Sequence, residues 1–275
     1  MQPDLIPEPQ TRGFDFGEPL TLKYQPQTVD GFVGLENQKA ILSALIKRPR
    51  PCALLLIGPP GVGKTTIALA FAKQLKGGLI QIPSQKCTVE TIEKAWETVH
   101  YYPESGGPWV VLIDEADKMS YAAQIALLSK LDSVGSLRPV FGGGYEKGKP
   151  LPVIWVFTCN GKGEDGVDLP ANFEPRFLSR CLPPIEFKLS DVDGELPDFL
   201  RSVWDRETDT AESGPPDFAQ MAEDADHCVR DSLQALELAI LAHVPVPHKV
   251  VNEPKYEMPQ SLAPSWIGPG FFAAH

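Results

Sequence analysis

Cysteine is sparse in this 275-residue chain. Its five residues, Cys52, Cys87, Cys159, Cys181 and Cys228, are odd in number, widely spaced and never in a C-x-x-C pair. That spacing argues against a zinc module or a disulfide framework and favours a reducing compartment. Long apolar runs are missing too, since no stretch approaches the roughly 18 residues of a membrane-spanning helix. The first residues, Met1-Gln2-Pro3-Asp4-Leu5, show no basic region followed by an apolar segment. The expectation is a soluble, cytoplasmic protein without a membrane partner. Basic charge is also in short supply: 25 Lys and Arg stand against 36 Asp and Glu, a net charge of −11, which excludes a generally basic nucleic-acid coat.

The imbalance is local. Residues 1–186 hold 20 acids and 19 bases, residues 187–243 hold 14 and 4, and residues 244–275 hold two of each. Nearly all the negative charge therefore sits in one 57-residue stretch. Proline is what the chain has in excess, 28 residues, roughly twice ordinary usage. At 43% apolar residues the chain can still bury a core.

Residues 1–18 are polar and interrupted by Pro3, Pro7 and Pro9, and read as a flexible lead-in. Ile41, Leu42, Leu45 and Ile46 recur at helical spacing within 36–47. Four short apolar runs follow, Ala53–Ile57, Leu79–Ile82, Val110–Ile113 and Ile154–Phe157, with helix-length segments near 64–76, 88–100 and 120–132. Buried strands alternating with helices predict an α/β domain, 19–189, built on a parallel sheet. Residues 190–243 carry helical spacing and no strand candidate, which predicts a small all-α domain. Residues 244–275, with six prolines, read as an extended tail.

Gly58-Pro59-Pro60-Gly61-Val62-Gly63-Lys64-Thr65 follows the first apolar run directly and opens a helix. This is the phosphate-loop pattern in its confirming context, with Thr66 as the next helical residue. Phosphates need many donors in a small concave space, and backbone N–H groups at a helix start supply them. Lys64 is expected to reach the outer phosphates of ATP, and Thr65 to hold Mg²⁺. Val110-Val111-Leu112-Ile113 ends in Asp114-Glu115, delivering two carboxylates to the sheet edge where ligands of open α/β sheets bind. Asp114 is placed to hold Mg²⁺ through water and Glu115 to polarise a water for in-line attack. Asp114-Glu115-Ala116-Asp117 has the letters of a DEAD-box helicase, but two motor domains do not fit this length. Asn160, ending the fourth run, either hydrogen-bonds the attacking water or merely starts a turn into Gly161; the pattern alone leaves both open.

Together these stretches resemble the AAA+ ATPases, and among them the clamp-loader group of replication factor C small subunits and bacterial polymerase III loaders. Leu20 to Gly34 is similar to the family's N-terminal strap, and the resemblance implies that Tyr24, Pro26, Val33 and Gly34 wrap the adenine; Gln25 stands where the family has Arg. Asp114 to Ser120 with Gln124, Leu127 and Leu128 resembles the carboxylate strand and its helix. Ser179-Arg180-Cys181 resembles the element whose Arg enters a neighbouring subunit's ATP site in trans, with Arg176 as the alternative finger. Arg230-Asp231-Ser232-Leu233 resembles the lid element that presents a second sensor Arg to the γ-phosphate; the eukaryotic register puts Leu233 there instead.

The resemblance, over about 19–243, implies a five-stranded parallel core with a helical lid. It implies ATP and Mg²⁺ as cofactors and a homo- or hetero-oligomer acting on primer-template DNA and a sliding clamp. Lys86 and Thr88 are the candidate DNA contacts. Three features depart from the pattern: no zinc module, a glycine-rich insertion at 142–149, and 32 proline-rich residues where loaders carry a collar. A remodelling ATPase acting on protein is the competing reading, weakened because Pro83 to Thr88 offers no aromatic pore residue. A helicase loader or branch-migration motor shares the core but not the Ser-Arg-Cys element.

Overall fold

Strands with apolar side chains at every position need cover on both faces, and the chain supplies it. The computed structural model describes residues 17–132, 138–140, 144–146, 151–163, 165–208 and 214–243. The N-terminal lead-in, the 244–275 tail with Phe271 and Phe272, and much of the glycine-rich insertion lie outside the described residues. In β1 (Cys52–Gly58), Leu55 and Ile57 face one apolar layer while Leu54 and Leu56 face the other. The period of two thus distributes one hydrophobic run between two cores.

Five parallel strands form the sheet in the order β2-β3-β6-β1-β7. The four predicted runs correspond to β1, β2 (Gly78–Pro83), β3 (Trp109–Asp114) and β6 (Val153–Asn160). The fifth, β7 (Ile185–Glu186), is only two residues long, too short to leave a periodic signal. Between β3 and β6, β4 (Arg138–Val140) and β5 (Gly144–Glu146) pair as an antiparallel ribbon.

α2 (Glu36–Lys47) and α3 (Lys64–Gln74) cover one face through Leu42, Leu45, Ile67 and Phe71. α4 (Val89–Val99) and α5 (Tyr121–Asp132) cover the other through Ile92, Ala95, Ala123 and Leu127. Thr88 starts α4 with a reciprocal capping box to Thr91, so its hydroxyl is already committed to the helix end. α6 (Pro175–Leu178) opens on proline, and its Phe177, fully buried, meets Phe157 edge to face at 4.9 Å.

Among the described residues the lid contains three helices. α7 (Leu196–Glu207) and α9 (Val229–His243) match the predicted apolar spacing; α8 (Phe218–Asp224) is too short to show a period and is set by Asp217, whose carboxylate accepts from Ala219 and Gln220 N–H. Leu196, Leu200, Val203, Trp204, Phe218 and Leu236 form its own apolar cluster. The four-residue helix α1 (Leu20–Lys23) contributes Leu20 to that cluster, whereas Val29, Phe32 and Leu35 join the core beside α3. The N-terminal strap therefore crosses from lid to core before α2 begins. No helix among the described residues is long and apolar enough to cross a membrane.

Candidate active site

The C-terminal ends of β1, β6 and β3 lie side by side, and each delivers one chemical element. After β1 the chain turns through Gly58–Gly63 into α3. Gly61 has φ +80°, and a Cβ there would meet Cys228 Sγ at 2.2 Å, so the loop demands glycine both for its conformation and for the lid packed against it. Val62 is buried in the core and anchors the loop. The first N–H groups of α3 have no helical partner and face the loop's concavity.

Lys64 is only 7% exposed. Its Nζ donates to the carbonyls of Gly58 (2.8 Å) and Pro59 (2.6 Å) and to Asn160 Oδ1 (3.1 Å). Burial pushes the ammonium down to about 8, assisted by the like charge of Arg230 and opposed by Asp114 and Asp117. Gly58 and Asn160 are direct partners in the parallel register of β1 and β6. Asn160 N–H donates to Asp117 Oδ1 at 3.2 Å. The Asn160 side chain thus accepts from the phosphate-loop lysine, a contact that neither of the two sequence readings named.

Thr65 Oγ1 donates to Asp114 Oδ1 at 2.8 Å. Two hard oxygens in contact, one from a carboxyl group, fit a Mg²⁺ ion that takes its remaining ligands from phosphate and water. Among the described residues there is no cluster of three or more His, Cys, Asp or Glu that could hold a metal by itself. Thr158, on β6, donates a short hydrogen bond to the same Asp114 oxygen and accepts from Glu115 N–H at 3.1 Å. Glu115 sits at φ 54°, ψ 47°, a left-handed conformation that is strained for a residue other than glycine. Its carboxylate is paired with Lys118 Nζ at 2.7 Å.

A cleft of about 290 Å³ opens between loop and lid. Tyr24, Pro26 and Val33 of the strap line it, with Gly61, Gly63 and Thr66 of the loop region and Phe199 and Arg230 of the lid. Gly34 lies behind this wall at φ +58°, where a Cβ would meet Asp191 O at 2.0 Å; its N–H donates to Glu195 Oε2 at 2.9 Å. Leu233, the residue given by the alternative lid register, lines the cleft as well.

Arg180 is elsewhere. Leu182 N–H donates to Ala53 O, which fixes this segment at the start of β1, five residues before Gly58. At about 3.3 Å per residue the strand separates Arg180 from its own loop by roughly 16 Å. Its guanidinium forms a fork with Asp132 (2.7 Å to each oxygen) and reaches Arg176 O at 2.7 Å. Arg176 itself pairs with Glu174 at 2.6 Å. Lys86, just before α4, and Thr88 at its start are both exposed.

Sequence reasoning missed Thr158, Asp117 and Cys228 as members of the site. A hydroxyl directly after the apolar run Val153–Phe157, two residues before Asn160, was the available signal for Thr158; Cys228 left none, because its contact with the loop comes from tertiary packing.

Residues 54–188 match the AAA family, the ATPase family associated with various cellular activities. The matched stretch runs from β1 to just past β7 and includes the phosphate loop and Asp114-Glu115. Replication factor C small subunit 2 of Pyrobaculum aerophilum is 37% identical over 113 residues, 38% of this chain and 35% of that protein. The replication factor C small subunit of Methanococcus maripaludis is 26% identical over 243 residues, 85% of this chain and 68% of that protein. The chain thus spans about a third of the length of the first of these relatives. Among solved structures, the Thermotoga maritima RuvB Holliday junction branch migration motor superposes with a TM-score of 0.56 at 19% identity, covering 80% of this chain and 67% of that one. The AAA+ P-loop core with a helical lid is the shared fold.

Proposed function

We propose that this protein is a clamp-loader-like AAA+ ATPase that binds ATP and Mg²⁺ between core and lid and hydrolyses ATP at a subunit interface during DNA replication. The observation that carries the interface is the location of Arg180, roughly 16 Å along β1 from the phosphate loop of its own chain. A cation at that place can serve a phosphate only if the phosphate belongs to a neighbour.

In this reading, loop N–H groups and Lys64 hold the phosphates, and Tyr24, Pro26 and Val33 enclose the base, with Gly34 turning the strap behind them. Thr65 and Asp114 would hold Mg²⁺, which would supply positive charge against the phosphates. Glu115 accepts the proton of the attacking water once Lys118 releases it, and Asn160 orients that water. Arg230 contacts the γ-phosphate from the lid, coupling nucleotide state to lid angle. Arg180 of the adjacent subunit stabilises the charge that develops during transfer. Similarity to the replication factor C small subunits supports primer-template DNA and a sliding clamp as partners, in a homo- or hetero-oligomer.

ATPase activity per molecule is expected to rise with protein concentration, or on adding a partner subunit, and Arg180→Ala is expected to abolish that rise while ADP still binds. Activity independent of concentration and untouched by the substitution refutes hydrolysis in trans. Stimulation by primed DNA or a sliding clamp separates the replication reading from a remodelling ATPase that acts on protein.

A further inference from the structure

α1 is four residues long, far below the length at which a helix is stable alone, yet it supplies one wall of the nucleotide cleft. Two contacts hold it. Leu20 is buried in the lid cluster with Leu196, Leu200 and Leu236. The other contact is polar. Tyr24 Oη donates to the Glu207 carboxylate at 2.5 Å, and Lys23 Nζ bonds the same group at 2.8 Å. Arg206 lies over the Tyr24 ring at 5.9 Å, and Phe199 meets that ring edge on at 6.5 Å.

Glu207 is an unexpected residue for its position. It is the last residue of α7, where the helix dipole disfavours a carboxylate. Lys23 and Tyr24 offset that penalty and hold the carboxyl below its ordinary range, so it remains charged as an acceptor. Beyond Tyr24 the chain leaves the lid: Val29 N–H donates to Gln74 Oε1 of α3 at 2.7 Å, and Val29 is fully buried in the core. The cleft therefore has one wall, Tyr24 with Phe199, attached to the lid, and another, Val33 with Thr66, attached to the core.

We propose that Glu207 is a positioning residue for nucleotide binding, a latch that fastens Lys23 and Tyr24 to α7 so that the Tyr24 ring closes on the base whenever the lid closes. The latch rests on the reading of the cleft as the nucleotide site. Its consequence is that lid angle is sensed at the base as well as at the phosphates: with the latch intact, rotation of α7 carries Tyr24 toward or away from Val33. Without Glu207 the segment keeps Leu20 and the ring contacts of Tyr24 with Phe199 and Arg206 but loses its charged hydrogen bonds, so the ring follows the lid less closely.

The test uses calorimetry on the full chain with two probes, ADP and inorganic tripolyphosphate, which has the phosphates but no base. Glu207→Ala is expected to weaken ADP binding about fivefold to tenfold, as for loss of a charge-assisted hydrogen bond, and to leave tripolyphosphate binding unchanged. Glu207→Gln keeps an acceptor for the Tyr24 hydroxyl and is expected to restore most of the ADP affinity. ADP binding by Glu207→Ala at wild-type strength overturns the latch. Equal losses for both probes overturn it too, because they report general damage to the lid. A wild-type protein that binds neither probe overturns the nucleotide reading itself, and the latch with it.

Discussion

Lys64 is the residue at which the site's electrostatics are most exposed to measurement. Its ammonium is buried, bonded to two carbonyls and the Asn160 amide oxygen, and lowered to about 8. A lysine lowered by folding makes the native state bind fewer protons than the unfolded chain between about 8 and its ordinary value, so its burial penalty fades as pH rises through that window. Phosphate binding acts in the opposite sense, because a bound polyanion favours the charged form. ADP binding is therefore expected to take up a proton at pH 8 to 8.5 and little at pH 6.5, with affinity declining as pH rises past 8. Calorimetry in two buffers of different ionisation enthalpy measures that uptake. Lys64→Met should bind ADP far more weakly and show no uptake, whereas uptake that is equal at both pH values would place the titrating group elsewhere.

At the scale of elements, the key joint is the one between α5 and α6. Gln124, 1% exposed on α5, donates from Nε2 to Asn172 O (3.1 Å) and accepts from Glu174 N–H (2.7 Å), clamping the segment that leads into α6. α6 in turn carries Arg176 and precedes Arg180. Gln124→Ala leaves both backbone groups without these partners and is expected to cost about 1–3 kcal/mol, read as a lowered thermal unfolding midpoint, with ADP affinity retained because Lys64, Thr65 and Asp114 are untouched. A midpoint equal to wild type would mean that packing of Phe177 alone holds α6. This joint also marks the limit of what sequence discloses. β1, β3, β6 and the phosphate loop were legible because each combines an unbroken apolar run with special residues at a fixed place. Asn160 became interpretable only through strand order, since β6 lies between β1 and β3 and sets Asn160 opposite Gly58. The contact of Tyr24 with Glu207 spans 183 residues and has no local signature at either end.

For the whole molecule the charge distribution and the strand directions lead to one requirement. The core is balanced at 20 acids to 19 bases, the lid region holds 14 to 4, and Arg230 is among the few bases that face the cleft. On the proposed reading, with so few cations at the nucleotide, the charge that develops in phosphoryl transfer calls for one more, and Arg180 of a neighbouring copy is its candidate source. Two variants then become complementary. Lys64→Ala offers Arg180 but holds no nucleotide; Arg180→Ala holds nucleotide but lacks the finger. Each alone is expected to be nearly inactive. In a mixed assembly, some interfaces pair the intact nucleotide site of the second with the intact Arg180 of the first, and hydrolysis should reappear. Recovery should grow with total concentration, follow the mole ratio through a maximum near equal amounts, and vanish when both substitutions are in one chain. Mixtures no more active than the sum of their parts would show that Arg180 does not act across an interface between copies, leaving a different partner subunit as the source of the missing charge.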